Sequence, residues 1–514
     1  MKGYSAFALG SLALLGAGAA ISQTQAPAAP AQGFAPEAVA QVCAACHGDD
    51  LSGGRGPSIV SPDILRNRTD QQLFSAIHDG IPNSEMGAFK DSYSDAQIWQ
   101  MVGYLRGRAA AAPPPAAATA AATAAPTVTP VDPDNRVVRS EKQAFRIEVV
   151  ARDLETPWAL AFLPDGRMLV TERPGRLRIV DKDGRLLPEP VQGTPDVLPV
   201  QDGGLLDIAL SPDYAETGWI YLSFSERLAG SPDPAPPEAG QRPTFPLSMT
   251  VISRGKLNAQ NQWVEQQILY RAPPELYTNR GEHYGSRFLF DGKGHVFYSL
   301  GERGDMRNSQ NLGTPLGKIH RINMDGSVPA DNPFVNRAGA LPTIWSYGHR
   351  NPEGLAFDPV SGALWESEHG PGGGDEINVI EKGGNYGWGV VSMGQQPGIE
   401  RQHADGMIDP VAWYSDPTLA PSGITFYTGD RYPGWKNNLF VAALRGQQLR
   451  RLEVKDGKVL HQEAVFEQLG RVRASAIGPD GLLYVLLQNP TGPGTGLRLS
   501  DPTPGMVVRL VPVQ

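Results

Sequence analysis

The chain has 514 residues and a net charge of −9 at neutral pH, with 40% hydrophobic and 19% charged residues. This length accommodates two or three domains, each with its own core. The acidic balance excludes a broad basic surface, so no nucleic-acid partner is predicted. The 59 glycines and 46 prolines favour many turns between short strands.

The N-terminus has the pattern of an export signal. Lys2 is followed by an apolar run that ends in small residues near Ile21, which predicts a signal peptide over residues 1–22. Much of the run is alanine and glycine, and it is short for a membrane span, so we expect cleavage rather than a permanent anchor. The mature protein is therefore expected in the periplasm, with no integral membrane segment.

The stretch CAACH contains both cysteines of the chain, Cys43 and Cys46, followed directly by His47. A zinc site normally needs further Cys or His ligands, and a redox dithiol is typical of a βαβ unit. A covalent haem c uses both thiols as thioethers and the adjacent histidine as an iron ligand. The motif therefore predicts haem c on Cys43 and Cys46, with His47 bound to the iron.

A second iron ligand has three candidates. Met86 follows a Gly-Ile-Pro turn, Met101 lies in the stretch SDAQIWQMVGYLRGR (94–108), and His78 lies in TDQQLFSAIHDGI (69–81). Both stretches have helical spacing and open with a capping residue, so Met101 is more typical of a core residue. Residues 34–108 resemble the class I cytochromes c, and this resemblance implies Met86 as the ligand.

An Ala-, Pro- and Thr-rich stretch predicts an interdomain linker over residues 109–140. Residues 141–514 then repeat one phrase, an apolar strand, a turn of the Pro-Asp-Gly type and a second apolar strand. Its copies are LAFLPDGRMLVTE, IALSPDYAETGWIYLSF, FLFDGKGHVFYSLGE, LAFDPVSGALWESE and AIGPDGLLYVLL. A recurring hairpin favours a β-propeller of about six blades over a sandwich or an irregular all-β domain. The predicted fold is a small all-α cytochrome c domain followed by an all-β six-bladed β-propeller.

The propeller region resembles the soluble quinoprotein aldose and glucose dehydrogenases, which bind pyrroloquinoline quinone (PQQ) and calcium. The resemblance rests on segments such as GEHYGSRFLFDGKG, IWSYGHRNPEGLAF, SEHGPGGGDEINVIEKGGNYGW and APSGITFY. It implies oxidation of an aldose sugar at C1 to a lactone. His283 would be the general base, Glu302 would orient it, and Arg350 would stabilise charge on the reduced cofactor.

The same resemblance implies the binding residues. Glu282 and Asp202 would contact the sugar, and the PQQ contacts would be Asp202, Arg350, Asn351, Thr418, Arg445, Arg471 and Arg473. Some relatives have glutamine in place of Asp202, and a carboxylate beside a trianionic cofactor is costly unless it faces the sugar or pairs with an arginine. Calcium would be held at Gly370 and Pro371, with a further calcium region at Glu376 and Tyr386.

The sequence therefore predicts a quinohaemoprotein that passes electrons from the sugar through PQQ to haem c, and on to another cytochrome or an oxidase. One alternative is a dehydrogenase of the same class acting on sorbosone, another aldehyde or a polyol. A second alternative is a PQQ-free propeller scaffold that docks the cytochrome to a partner, which only Asp202 suggests. The oligomeric state stays open.

Overall fold

The computed structural model describes residues 43–44, 47, 51, 59–60, 70–80, 89–90, 92–110, 132–234, 244–399, 401–415, 418–488 and 504–513. The predicted signal peptide, Cys46, Met86 and most of the predicted linker lie outside these residues.

The N-terminal unit is helical, as predicted. Helix α1 spans Asp70–His78 and helix α2 spans Asp95–Ala110. Ser94 caps α2, because its backbone N–H and its hydroxyl both donate to Gln97 Oε1, at 2.9 and 3.0 Å. The two helices enclose a core that contains Met101, in accordance with its helical spacing, together with Leu51, Leu73, Phe74, Ile77, Ile98, Val102 and Leu105.

The remaining chain forms six antiparallel sheets, the blades of a propeller. Blade 1 contains β3 (Pro157–Phe162), β4 (Met168–Glu172) and β5 (Arg176–Val180). Blade 2 contains β6 (Leu205–Leu210), β7 (Ile220–Arg227), β8 (Ser248–Leu257) and β9 (Trp263–Tyr270). Blade 3 contains β10 (Phe288–Phe290), β11 (His295–Leu300), β12 (Lys318–Asn323) and β13 (Ile344–Tyr347).

Blade 4 contains β14 (Pro352–Phe357), β15 (Leu364–Glu368), β16 (Asp375–Ile380) and β17 (Ala412–Tyr414). Blade 5 contains β18 (Pro421–Phe426), β19 (Leu439–Ala443), β20 (Gln448–Lys455) and β21 (Lys458–Glu467). Blade 6 contains β1 (Val137–Arg139), β2 (Ala144–Glu155), β22 (Arg471–Ile477), β23 (Leu483–Gln488) and β24 (Pro504–Pro512). Short helices α3 (Tyr214–Thr217) and α4 (Arg307–Gln310) and 3-10 turns at Pro274–Leu276 and Pro433–Trp435 lie between strands.

The first strand of each blade lines the centre of the propeller. The inner strands β3, β6, β10, β14, β18 and β22 contact one another in that order, and β22 contacts β3. The ring is closed within blade 6, where β2 from the start of the propeller pairs with β24 from its end, for example through Ile147 and Leu510. This pairing joins the two ends of the domain and closes the ring of blades.

Each of the five repeated phrases forms the hairpin between the first and second strands of a blade. These hairpins are β3–β4, β6–β7, β10–β11, β14–β15 and β22–β23. The prediction of a six-bladed propeller is therefore confirmed. Among the described residues, no helix is both long and apolar enough to cross a lipid bilayer.

Candidate functional site

The predicted site residues share one place in the blade. Each inner strand pairs antiparallel with the second strand of its blade. The start of the inner strand therefore lies beside the end of the second strand, as Pro352 lies beside Glu368 in blade 4. Some of the predicted site residues lie at or just before the start of an inner strand: Asp202, His283, Arg350, Asn351, Thr418 and Arg471. Others directly follow the end of a second strand: Glu302, Gly370 and Arg445. Because blades repeat around one axis, all of these positions meet at one mouth of the propeller.

His283 and Glu302 form a buried pair at this mouth. The distance between His283 Nδ1 and Glu302 Oε1 is 2.9 Å, and the two residues are 5% and 2% exposed. His283 has φ 57°, in the left-handed region that residues other than glycine seldom adopt. The structure therefore places Glu302 where it can orient the imidazole through Nδ1.

Burial raises the pKa of the Glu302 carboxyl to about 7, and the nearby Arg350 charge only partly opposes this rise. Glu302 Oε2 is buried and has no hydrogen-bond partner among the described residues. The backbone N–H of Glu302 donates to the Arg350 carbonyl at 2.8 Å. A carboxyl whose pKa lies near neutrality and that contacts an imidazole is an arrangement typical of a general-base site.

Arg350 and Asn351 tie this pair to blade 4. The Arg350 guanidinium donates to the His369 carbonyl at 3.1 Å and lies 5.2 Å from the Trp388 ring centre. The Asn351 side chain accepts from the Gly285 N–H at 3.1 Å and donates to Glu353 Oε1 at 3.1 Å. Asn351 therefore connects the loop of His283 to a buried carboxylate.

A belt of arginines faces this carboxylate. Arg473 Nη1 lies 2.6 Å from Glu353 Oε2. Burial lowers the pKa of Arg471 to about 10, and the charges of Arg473 and Arg445 act in the same direction, whereas those of Asp202 and Glu353 oppose it. The sequence-predicted Arg445, Arg471 and Arg473 thus act on one another electrostatically. Thr418 lies next to Leu419, whose carbonyl accepts from the Arg445 backbone N–H at 3.0 Å.

Asp202 is an acidic neighbour of this belt. Its carboxylate accepts from the His283 backbone N–H at 3.3 Å. Its charge raises the pKa of Arg173, Arg471 and Arg473, each of which burial lowers. The sequence analysis required that Asp202 pair with an arginine or face the sugar, and in the structure its charge acts on three arginines.

Three residues of this mouth were missed by the sequence analysis: Arg173, Glu353 and His369. Arg173 directly follows β4, so the rule that second strands end at the mouth would have identified it. Burial alone would raise the pKa of Glu353, but the charges of His369 and Arg473 help to lower it to about 2. Glu353 is therefore ionised beneath the arginines.

The predicted calcium loop is a tight turn. A side chain at Gly370 would lie 1.7 Å from the Gly374 carbonyl oxygen, so only glycine fits there. The Pro371 carbonyl accepts from the Gly374 N–H at 3.0 Å. Asp375 anchors the turn, since its carboxylate accepts from the Gly370 N–H at 3.1 Å and from the Leu419 N–H at 2.8 Å.

Glu376 belongs to a buried acidic cluster that consists of Glu366, Glu368, Glu376, Asn378 and His349. Asn378 Nδ2 lies 3.0 Å from Glu366 Oε2, and 3.4 Å from both Glu368 Oε1 and Glu376 Oε2. One amide has only two hydrogens for these three carboxylates. Burial raises the pKa of Glu366 and of Glu376, and the charge of Glu368 adds to both shifts. The cluster therefore has a deficit of positive charge.

Tyr386, the partner of Glu376 in the prediction, packs against this cluster. Its ring stacks on His349 with 4.7 Å between centres. Its hydroxyl donates to the Val379 carbonyl at 2.7 Å and accepts from the Glu381 N–H at 2.7 Å. The hydroxyl is thus committed within the protein, and a metal contact from Tyr386 would have to use its backbone carbonyl.

The described part of the predicted haem motif is helical. Cys43 and His47 lie in helical turns, and His47 is 8% exposed. Cys43 packs against the core of the N-terminal unit. His78 Nδ1 lies 2.8 Å from Asp79 Oδ1. The predicted roles of Cys46 and Met86 concern residues that the structure does not describe.

Fold and mouth together define the class: a propeller enzyme with an acid–base pair and an arginine belt at its mouth, preceded by a small helical domain. The family model described as Glucose / Sorbosone dehydrogenase matches residues 154–497. The chain therefore belongs to this family of dehydrogenases. A second family model, Cytochrome C oxidase, cbb3-type, subunit III, matches residues 35–105, so the helical unit is a cytochrome c domain.

Individual relatives agree with this assignment. The chain is 40% identical over 355 residues to the aldose sugar dehydrogenase YliI of Escherichia coli (strain K12), covering 67% of this chain and 91% of that protein. The apo-form crystal structure of the E. coli soluble aldose sugar dehydrogenase matches with a TM-score of 0.63 at 35% identity, over 72% of this chain and 100% of that one. The PQQ-bound aldose sugar dehydrogenase of Streptomyces coelicolor matches with a TM-score of 0.55 at 29% identity, over 74% and 100%.

Proposed function

We propose that this protein oxidises aldose sugars at C1 to lactones, with PQQ as the first electron acceptor and its own haem c as the second. The observation that carries the proposal is the buried His283–Glu302 pair, 2.9 Å apart, beside a belt of arginines. Membership of the glucose/sorbosone dehydrogenase family supports the reaction class. The PQQ bound to the Streptomyces relative supports the cofactor.

The arginine belt fits PQQ, which carries three carboxylates. Arg350, Arg445, Arg471 and Arg473 would hold these carboxylates through charge-assisted hydrogen bonds, with Arg173 adding a further positive charge. Arg473 Nε is buried without a hydrogen-bond partner among the described residues, which leaves one donor of this belt for a ligand. Bound PQQ supplies a two-electron acceptor for the hydrogen on the sugar C1.

The protein's own part in the reaction is the movement of one proton. Because Glu302 occupies Nδ1 of His283, Nε2 is the nitrogen that takes the proton from the C1 hydroxyl. The C1 hydrogen would leave with its electron pair, for which bound PQQ would supply the acceptor, and the C1–O bond would become the carbonyl of the lactone. The Glu302 carboxylate stabilises the imidazolium formed in this step.

Calcium fits two places in blade 4. Backbone oxygens of the Gly370–Pro371 turn are ligands of the type that calcium prefers, and we propose that this turn holds the ion beside PQQ. The acidic cluster around Glu376 lacks positive charge, and Glu366 Oε1 is buried there without a hydrogen-bond partner among the described residues. A divalent cation bound through Glu376 and the Tyr386 carbonyl would supply that charge.

Electrons would then pass one at a time to the haem on Cys43 and Cys46, with His47 and Met86 as iron ligands, and on to an external cytochrome or oxidase. The linker keeps haem and propeller in one chain, so this transfer is intramolecular. The signal pattern in residues 1–22 leads us to propose that the protein works in the periplasm.

Replacing the proposed base tests the reaction directly. With PQQ, calcium and an artificial electron acceptor, we expect H283Q to lower kcat for lactone formation from glucose by about 10²- to 10⁴-fold. The matched control is H403Q, because His403 is exposed and pairs only at the surface with Asp409. Equal rates in the two variants would refute the assignment of His283. If the wild-type chain oxidised aldehydes or polyols but no aldose, the proposed substrate would be wrong, and the alternative of an aldehyde or polyol dehydrogenase would take its place.

A further inference from the structure

The segment 280–284, which carries His283, is held from two sides. On one side the Asp202 backbone N–H donates to the Gly281 carbonyl at 3.1 Å, and the Asp202 carboxylate accepts from the His283 N–H. On the other side Arg303 donates through Nε to the Glu282 carbonyl at 2.9 Å, and through Nη2 to the Arg280 carbonyl. Arg303 therefore binds the carbonyls of Arg280 and Glu282, and Asp202 binds the Gly281 carbonyl between them.

Arg303 is fixed in this position by its own contacts. It is 1% exposed, and its guanidinium lies 3.7 Å from the centre of the Tyr284 ring. Its Nη1 and Nη2 donate to the carbonyl and the hydroxyl of Ser248, each at 3.2 Å. The Tyr284 hydroxyl and the Ser248 hydroxyl are 3.0 Å apart. A planar guanidinium suits this set because it offers several donors in one fixed geometry.

The backbone held by Arg303 is in an unfavourable conformation. His283 and Arg303 have φ 57° and φ 60°, and residues other than glycine adopt this region only when their surroundings enforce it. Gly304, with φ 74°, completes the turn, and a side chain there would lie 2.3 Å from Glu282 Oε1. One turn thus presents the Glu302 carboxylate to His283 and directs the next side chain under the segment that carries His283.

We propose that Arg303 is a positioning residue for the base. It holds residues 280–284 in the conformation that brings His283 against Glu302, and it contacts neither sugar nor cofactor. The assignment rests on the proposed function for its catalytic consequence, but the clamp itself is a property of the protein without ligands. It gives a role to a charged residue of the GERGD stretch that the reaction does not otherwise use.

Two measurements test this role on the full-length chain. Hydrogen–deuterium exchange of the apo-protein, followed by mass spectrometry, reports on the peptide that covers residues 278–286. We expect faster exchange there in R303Q and an intermediate rate in R303K. In the loaded enzyme, R303Q should lower kcat for glucose about 10²-fold while KM changes by less than about threefold, with partial recovery in R303K.

The matched control is R451Q, because Arg451 is also fully buried and binds Glu463 at 2.5 Å and Glu453 at 2.7 Å on blade 5. It should lower stability without changing exchange at 278–286 or kcat. An unchanged exchange rate at 278–286 in R303Q would overturn the proposal. The same holds if R451Q, at an equal loss of stability, lowers kcat as much as R303Q does. If the wild-type chain oxidised no sugar, the proposed function would be wrong. The exchange measurement would still show whether Arg303 holds residues 280–284 in place.

Discussion

Glu302 shows how a single buried carboxyl can set the working pH of the site. A carboxyl group in water is ionised well below neutrality. Burial raises the pKa of Glu302 to about 7 despite the positive charge of Arg350. The group therefore gains a proton as the pH falls through about 7, and the imidazolium of His283 then loses its stabilising partner.

The first prediction follows from this coupling. We expect kcat of the wild-type enzyme to fall on the acid side of about pH 7, because the ionised form of Glu302 is lost there. E302Q should remove much of this fall in kcat on the acid side of the pH–rate profile. It should also lower kcat by about 10- to 100-fold, since a hydrogen bond to a charged group is worth about 1.5–3 kcal/mol. Steady-state rates from about pH 5.5 to about pH 8.5 measure both effects.

The control for that series is E463Q, since Glu463 is buried on blade 5 and pairs with Arg451. It should keep the wild-type pH profile. An acid limb in E302Q that coincides with that of the wild type would assign the limb to another group.

For individual residues, the sequence motifs predicted which side chains belong to the site, but not which distant parts of the chain they contact. His283 and Glu302 lie in one stretch of chain, so their pairing was accessible from the sequence. Arg473 and Glu353 lie 120 residues apart, and Asp202 and His283 lie 81 apart, so only the ring of blades brings them together. The sequence analysis therefore left two settings open for Asp202, the sugar or an arginine, and it gave Arg303 no role.

The repeating element of the molecule is the hairpin between the first and second strands of each blade. Five copies were visible in the sequence because a short Pro-Asp-Gly-like turn joins two apolar strands. The copy in blade 5 was missed because residues 427–438, which include a 3-10 turn at Pro433–Trp435, separate β18 from β19. The closure of β2 on β24 was not predicted either, since its partners lie at opposite ends of the domain.

The pairing of β2 with β24 leads to a testable prediction about the stability of the propeller. Phe145 on β2 is fully buried and meets Trp435 edge-on, with 5.6 Å between ring centres. We expect F145A to lower the free energy of unfolding of the propeller by about 3–5 kcal/mol. V137A, at a position 52% exposed on β1, should change it by less than about 0.5 kcal/mol. Denaturant unfolding followed by tryptophan fluorescence measures both.

Equal losses in F145A and V137A would mean that β2 contributes little to ring closure. The haem absorbance of F145A should match that of the wild type, because the core of the cytochrome domain consists of its own residues. A changed haem spectrum would show that the two cores are coupled.

In the proposed function, the whole molecule combines a two-electron site with a one-electron carrier. Sugar oxidation delivers two electrons at once, whereas a haem accepts one at a time. In the proposed function, the stretch between the end of α2 at Ala110 and the start of β1 at Val137 would tether the haem to the propeller, and a short flexible linker would raise its effective concentration there to about the millimolar range. Transfer within one chain does not depend on the protein concentration, and this separates it from transfer between molecules.

The most direct measurement is the absorbance spectrum of the oxidised, full-length holoprotein, recorded without oxygen before and after glucose is added. We predict that the haem is reduced only when PQQ, calcium and sugar are all present, and that the initial rate constant is the same across a tenfold dilution of the protein. A haem that dithionite reduces, but that no aldose or aldehyde reduces under these conditions, would contradict the account.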